Sequence, residues 1–301
     1  MPLLRFAFFT GLFLFPSSLL AQAVDKPKQQ PDALDGPPFV TCKAWAVADG
    51  KTGLVLRGLN EAEARPMAST TKIMTAWIVF QLAAKEPKVL DEIMTMSERA
   101  DKTTGSTADI RAGEKLPVRD MLFGLLLPSG NDAATALAEH FGRRFAPKDN
   151  GKPDDPLPHF VAEMNRRAAA LGMKETKYLD PHGLGGNLTS ARDLVQLAHT
   201  AMKDETFRKY VATRRHSCEA VGPDGTKRTA VWANTNQLLD IDGYDGVKTG
   251  TTTAAGACLV ASGRRGDDQL LIVVLGATSP DARYVDARNL FRWAWTLKTK
   301  K

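Results

Sequence analysis

Ser69-Thr70-Thr71-Lys72 sets a hydroxyl and an amine three residues apart. On a helix, positions i and i+3 share a face, so these two side chains can hydrogen-bond. A serine becomes a nucleophile only beside a base, and a lysine serves as that base when burial or a nearby cation lowers its pKa. At a helix start, the unpaired N–H groups and the positive end of the dipole favour a developing oxyanion. A Ser cap followed by an ordinary helix lysine would give the same pair, so the motif needs company. Of the ten serines in the 301 residues, only Ser69 has Lys three positions later. It opens the run 73–84, which carries no charged residue. A helix apolar on nearly every face belongs in the core of a large domain, and this one is too short to span a bilayer.

Two further places could add to that chemistry. Ser129-Gly130-Asn131 follows an apolar run ending at Leu127 and precedes a helical pattern from Asp132 to His140. These residues suit a turn and helix cap, and they could equally aim a second hydroxyl and an amide into a cleft. Lys248-Thr249-Gly250, followed by Thr251, ends a strand-like run. The glycine lets backbone approach a ligand closely, while the lysine and threonine can bind a carboxylate.

The surrounding elements must bring these three places together. Residues 43–59 read as two short strands around Asp49-Gly50-Lys51-Thr52-Gly53. From about Val118 to Lys203 the patterns are mostly helical (VRDMLFGLLL, DAATALAEHF, HFVAEMNRRAAALGM, SARDLVQLAHTAM), with a polar Pro-rich loop at 147–158. After residue 205 the period changes to two. Runs at 215–220 and 226–232 flank Pro223-Asp224-Gly225 as a hairpin, and 246–250, 255–262 and 269–275 add three strands. Residues 279–297 close the chain as an amphipathic helix with Tyr284, Ala287, Phe291 and Trp295 on one side. Strands at both ends of a helical block predict one sheet with an inserted all-helical lobe at about 85–205, an α+β chain.

Composition is ordinary globular material, 43% hydrophobic and 25% charged. A positive start at Arg5, an apolar stretch over 6–15 and the small residues Ala21-Gln22-Ala23 predict a signal peptide, 1–23, cleaved after Ala23. That places the protein in the periplasm or outside the cell. Residues 24–38 read as a flexible Pro-rich leader, and 39–301 as the folded domain. Removing the signal takes only Arg5, so the formal charge goes from +6 to 6 − 1 = +5, a mild excess that suits an acidic polymer but decides nothing. No basic block with interleaved aromatics points to nucleic acid. Cys42, Cys218 and Cys258 make an odd count, so at least one thiol lacks an intramolecular partner; Cys42 and Cys258 lie in apolar runs and read as buried thiols. No CxxC or Cys/His spacing suggests a metal, and no cofactor is expected.

Ser-x-x-Lys, Ser-x-Asn and Lys-Thr-Gly in this order are the signature of penicillin-binding proteins and serine β-lactamases. The chain resembles the low-molecular-weight D-alanyl-D-alanine carboxypeptidases in particular, from about Thr41 to Trp295. The blocks RPMASTTKIMTA (65–76), LLLPSGNDAA (125–134), LGMKETKYLDPHGL (171–184), TSARDL (189–194), NTNQLL (234–239), DGVKTGTT (245–252) and LGATSPDARY (275–284) all look like that family's.

The resemblance implies a three-layer α/β/α transpeptidase-like fold and an acyl-enzyme on Ser69, with peptidoglycan stem peptides ending in D-Ala-D-Ala as substrates and β-lactams as inhibitors. It casts Lys72 as the base, Lys248 as a second cation that helps keep Lys72 neutral, and Ser129 as the proton donor to the leaving amine. Asn131 would bind a substrate amide, the backbone N–H groups of Ser69 and Thr251 would form the oxyanion hole beside Gly250, and Thr249 with Arg283 would hold the terminal carboxylate. For Arg283 a surface helix arginine is the plain alternative. His182, in Asp180-Pro181-His182-Gly183-Leu184, reads as a structural turn residue without HExxH, HxH or GxSxG partners. Glu163 stands where a class A β-lactamase would have its deacylating glutamate but lacks the Glu-x-x-Leu-Asn setting, and reads as a surface charge. The sequence stops directly after the closing helix, where longer relatives carry a second β-domain and a C-terminal amphipathic anchor. A stable anchor is therefore not expected, and a D,D-endopeptidase stays open beside the carboxypeptidase. A penicillin sensor or wall-binding module without turnover is the remaining alternative.

Overall fold

The structure is a computed structural model that describes residues 36–147 and 155–299. The expected signal peptide, most of the leader and the centre of the 147–158 loop lie outside the described residues. In chain order the strands are β1 (Ala44–Asp49), β2 (Val55–Leu59), β3 (Arg65–Pro66), β4 (Ile93–Thr95), β5 (Lys115–Pro117), β6 (Leu188–Thr189), β7 (Arg215–Val221), β8 (Lys227–Ala233), β9 (Tyr244–Thr252), β10 (Gly256–Arg265) and β11 (Asp268–Ala277). The helices are α1 (Lys72–Lys85), α2 (Glu98–Asp101), α3 (Val118–Leu126), α4 (Asn131–Gly142), α5 (Pro156–Ala170), α6 (Ala191–Ala201), α7 (Glu205–Ala212) and α8 (Ala282–Thr299). Among the described residues no helix is long and apolar enough to cross a membrane.

An antiparallel sheet in the order β2-β1-β11-β10-β9 forms the middle layer. Its central strands are apolar almost without interruption because both faces are covered. Alternate residues then go to opposite sides. Ala44, Ala46, Ala48, Cys258, Val260, Leu271 and Val273 join the core that holds α1 and α6. Trp45, Val47, Leu259, Ala261, Leu270 and Ile272 join a second core under α8. Tyr284, Ala287, Phe291 and Trp295 of α8 are all buried there, as their spacing predicts. Asp286 of the same helix is buried too and accepts from Thr41 N, Thr41 Oγ1 and Cys42 N at 2.9 Å, tying α8 to the chain just ahead of β1.

The inserted lobe is not purely helical. β4 and β5, inside it, join the β7–β8 hairpin in a second sheet of order β4-β5-β7-β8. Three-residue strands with one buried position each leave too little alternation to read from sequence. α1 is the hub of the lobe. Ile73, Met74, Ala76, Ile78 and Val79 are wholly buried on successive faces, which explains the missing charge across 73–84. Burying each such aliphatic chain contributes roughly 1.5–3 kcal/mol.

Candidate active site

Ser69 sits in a 3₁₀ turn, Ala68–Thr71, that leads into α1 rather than in the α-helix itself. Ala68 ahead of it has φ +48°, an unfavourable conformation for a residue with a Cβ. Neighbours hold the turn in place. Thr71 Oγ1 donates to Ala68 O at 2.8 Å, and Asn187 Nδ2 donates to Thr71 Oγ1 at 3.0 Å. Gly183 closes over the same carbonyl, where an added Cβ would fall 2.0 Å from Ala68 O. On the other side lies β9, the edge of the central sheet. A Cβ on Gly250 would come within 2.8 Å of Ser69 N and 3.0 Å of Thr70 N, so only glycine permits this approach.

Lys72 is fully buried. Its Nζ lies 3.0 Å from Ser69 Oγ, 2.7 Å from Asn131 Oδ1 and 3.0 Å from the backbone oxygen of His182. Burial pulls its pKa down to about 7, against the carboxylates of Asp180 and Asp132, which raise it. A neutral amine has two N–H donors and one lone pair. Asn131 Oδ1 and His182 O can only accept, so they take the two donors, and the lone pair is left for the Ser69 hydroxyl. Asn131 cannot turn its nitrogen towards Lys72 without loss, because Nδ2 donates to Thr104 O at 2.7 Å.

Ser129 precedes α4 with φ +67°, a second non-glycine residue in the left-handed region. Its hydroxyl is buried and has no hydrogen-bond partner among the described residues. Asp132, next along, accepts from Thr107 Oγ1 and the N–H groups of Ala108 and Asp109, which fixes the loop against the start of α4.

Lys248 is also buried, and its Nζ donates to Thr249 O at 3.1 Å. Burial, then the charges of Lys72 and Arg283, hold its pKa well below the usual lysine range. This refines the expectation from sequence. Burial is the largest cause of the lowering at Lys72 and at Lys248, and two amines in one buried site each favour the neutral form of the other. Thr249 Oγ1 meets Thr235 Oγ1 at 2.8 Å. Arg283 is not a surface arginine: it is buried under β9, where it donates to Gly250 O at 3.3 Å and Thr251 Oγ1 at 2.8 Å. The three motif segments thus meet: Lys72 bonds Ser69 and Asn131, Gly250 packs on the Ser69 turn, and Lys248 faces Lys72.

Three contributors escaped sequence reasoning. His182 enters through its carbonyl, not its ring. Asp180 makes that turn: its carboxylate accepts from His182 N at 2.8 Å, from Gly183 N at 2.5 Å and from Gly185 N. Burial alone would raise the Asp180 pKa, but His182 and these N–H groups outweigh it and hold the carboxyl well below its usual range. Thr235, the third, has no ionisable group to draw the eye; its N–H donates to Leu127 O at 3.1 Å and its carbonyl accepts from Tyr284 OH at 2.7 Å. Glu163 departs from expectation as well. It is only 7% exposed and is held by Arg166 at 2.6 Å and Arg167 at 2.7 Å, a carboxylate tucked beneath two arginines of α5, of which Arg166 stays exposed.

The sequence profile of the D-alanyl-D-alanine carboxypeptidase family matches residues 32–279. A D-alanyl-D-alanine carboxypeptidase of Streptomyces sp. (strain K15) is 35% identical over 273 residues, covering 88% of this chain and 90% of the relative. A D-alanyl-D-alanine endopeptidase of Pseudomonas aeruginosa is 34% identical over 254 residues, covering 83% and 76%. The chain spans only 62% of the D-alanyl-D-alanine carboxypeptidase DacF of Bacillus subtilis, to which it is 33% identical. The crystal structure of the Streptomyces K15 DD-transpeptidase superposes with a TM-score of 0.79 at 33% identity, over 87% of this chain and 99% of that one. With the profile matching most of the chain and the fold shared at this identity, the protein belongs to the D-alanyl-D-alanine carboxypeptidase family of serine peptidases.

Proposed function

We propose that the protein is a serine D-Ala-D-Ala carboxypeptidase that removes the terminal D-alanine from peptidoglycan stem pentapeptides. The observation that carries this reading is the buried Lys72 amine, poised near neutrality 3.0 Å from the Ser69 hydroxyl. Ser69 Oγ attacks the carbonyl carbon of the penultimate D-alanine as its proton passes to Lys72 Nζ. The oxyanion faces the N–H groups of Ser69 and Thr251, a reading supported by the close approach of Gly250 to the Ser69 turn. The C–N bond then breaks, and the leaving amine takes its proton through the unpaired Ser129 hydroxyl. Asn131 orients Lys72 and a substrate amide, while Lys248, Thr249 and Arg283 supply the positive edge for the terminal carboxylate. Water attacks the ester, its proton goes to Lys72, and Ser69 is regenerated. A β-lactam follows the same first step and remains as a slowly hydrolysed ester.

This chemistry belongs outside the cytoplasm, which accords with a signal peptide over 1–23 cleaved after Ala23 and a catalytic domain over 39–301. A second reading is favoured by the endopeptidase name of the Pseudomonas relative. In that case the acyl donor is the cross-link between two stems, and the leaving amine belongs to a second peptide. Incubation of the mature protein with pentapeptide and cross-linked muropeptides, followed by mass spectrometry, separates the two. Loss of one D-alanine supports the carboxypeptidase, and conversion of dimers to monomers supports the endopeptidase. Penicillin labelling that persists in Ser69→Ala would overturn the site assignment.

A further inference from the structure

At the far end of β9 from Gly250, α8 and the β10–β11 turn border a cavity of about 390 Å³, open to solvent and lined by the exposed Arg264, Arg265, Arg288 and Arg292. Gly250 lies six steps along the strand from Tyr244, which lines this cavity, about 20 Å at roughly 3.3 Å per residue. The cavity is therefore distinct from the Ser69 cleft. Like charges crowded into a concavity repel unless partnered, and the partners here are few. Arg264 Nε donates to Asp245 Oδ2 at 2.8 Å. No ion pair joins Arg265, Arg288 or Arg292 to a carboxylate among the described residues, although Asp242 also lines the cavity. Arg265 is held over the Trp295 ring at 5.4 Å, which fixes its plane. Arg288 and Arg292 stand one turn apart on the exposed side of α8, a spacing at which like charges destabilise a helix, and Arg292 is oriented by Asn289. The positive charges of Arg265, Arg288 and Arg292 all reach the Tyr244 hydroxyl and oppose the rise that burial imposes on its pKa, a sign that the three converge.

Guanidinium groups are planar, weakly hydrated and matched in geometry to two oxygens of one phosphate. The volume takes a phosphate group with its ester substituent rather than a bare chloride. We propose that this cavity is a binding site for a phosphate-bearing ligand, a phosphomonoester or phosphodiester, which neutralises the arginine cluster. The site uses residues scattered over fifty positions of sequence, so no basic block announces it.

Two probes separate a soluble phosphate from a lipid headgroup. Wild-type protein and Arg288→Gln/Arg292→Gln are titrated calorimetrically with inorganic pyrophosphate, and both are sedimented with phosphatidylglycerol or phosphatidylcholine vesicles. Both arginines are exposed, so the variant should fold, and a thermal melt checks that it does. A control, Lys85→Gln/Lys88→Gln, removes the same charge from a distant exposed surface. Saturable pyrophosphate binding weakened at least tenfold in the arginine variant alone supports a soluble ligand. Binding confined to phosphatidylglycerol vesicles, with the same loss, supports a headgroup. No saturable binding of either probe, or equal weakening by the lysine variant, overturns the proposal.

Discussion

Lys72 Nζ lies 2.7 Å from Asn131 Oδ1, closer than to Ser69 Oγ at 3.0 Å, so an amide oxygen rather than a carboxylate holds the amine in line with the nucleophile. The choice matters because the lysine must be neutral to accept a proton. An amide accepts an N–H without favouring the ammonium as a charge would.

Asn131→Asp should therefore impair acylation by retuning Lys72 rather than by removing a contact. An adjacent carboxylate raises a lysine pKa by about 1–3 units. With the wild-type value about 7, half the amines are neutral at pH 7, and a rise of about two units leaves about one in a hundred. The expected outcome is a roughly 50-fold slower acylation by a chromogenic β-lactam at pH 7, recovering towards wild type at pH 9–10. Wild type itself should gain rate as pH rises through about 7. A loss in Asn131→Asp that is constant across pH would contradict this role.

The same burial that prepares Lys72 costs stability, and the cost depends on pH. The folded protein holds Lys72 at about 7, whereas a lysine in the unfolded chain titrates near 10.5. Between those values the unfolded chain binds more protons, so stability rises with pH across the window. Below about 7 the penalty is present in full. Lys248, lowered in the same direction, adds to the slope. Lys72→Met should abolish activity and unfold at higher denaturant than wild type at pH 7, by on the order of 1–3 kcal/mol. The gap should narrow by pH 9.5. Urea titrations at the two pH values measure it, and an equal or wider gap at the higher pH would count against the account.

Gly250→Ala tests how closely β9 must approach the Ser69 turn. The added methyl meets backbone nitrogen atoms at 2.8 and 3.0 Å, which cannot swing aside as a flexible side chain could. The strand or the turn must move by a few tenths of an ångström or more, displacing the Ser69 and Thr251 N–H groups relative to each other. A misplacement of about 1 Å can cost about 100-fold in rate, which sets the upper end of the expected loss. Acylation should fall by up to that factor while the melting temperature drops by only a few degrees, because β9 keeps its pairing with β10.

How much of this was legible in the sequence follows from what each residue contributes. Ser69, Lys72 and Lys248 carry reactive side chains at fixed spacing, and the runs read as a strand at 246–250 and a helix at 279–297 overlap β9 and α8. These were readable. His182 reads as a turn residue and stands in the turn that Asp180 makes, but it contributes a carbonyl, which every residue has, so side-chain chemistry gives no sign of its contact with Lys72. Glu163 reads as a surface charge for a related reason. One charged residue on a helix cannot reveal whether its neighbours in space bury it, and Arg166 and Arg167 bury Glu163 through contacts that sequence spacing permits without requiring.

Thr235 shows the same limit and offers the last test. Its N–H bonds Leu127 O just ahead of the Ser129 loop, its hydroxyl bonds Thr249, and its carbonyl accepts from Tyr284 next to Arg283. One residue thus ties two motif segments and α8 together without touching the reacting atoms. Thr235→Val keeps the shape and removes the hydroxyl, leaving Thr249 Oγ1 without this partner at a cost of roughly 1–3 kcal/mol. If Thr235 positions Thr249 for a substrate carboxylate, KM for a D-Ala-D-Ala peptide should rise about tenfold while the pH profile set by Lys72 stays in place. Thr235→Ser, which restores the hydroxyl, should recover most of that loss. A Thr235→Ser variant as impaired as Thr235→Val would mean that the methyl group's packing, and not the hydrogen bond to Thr249, is what the site requires.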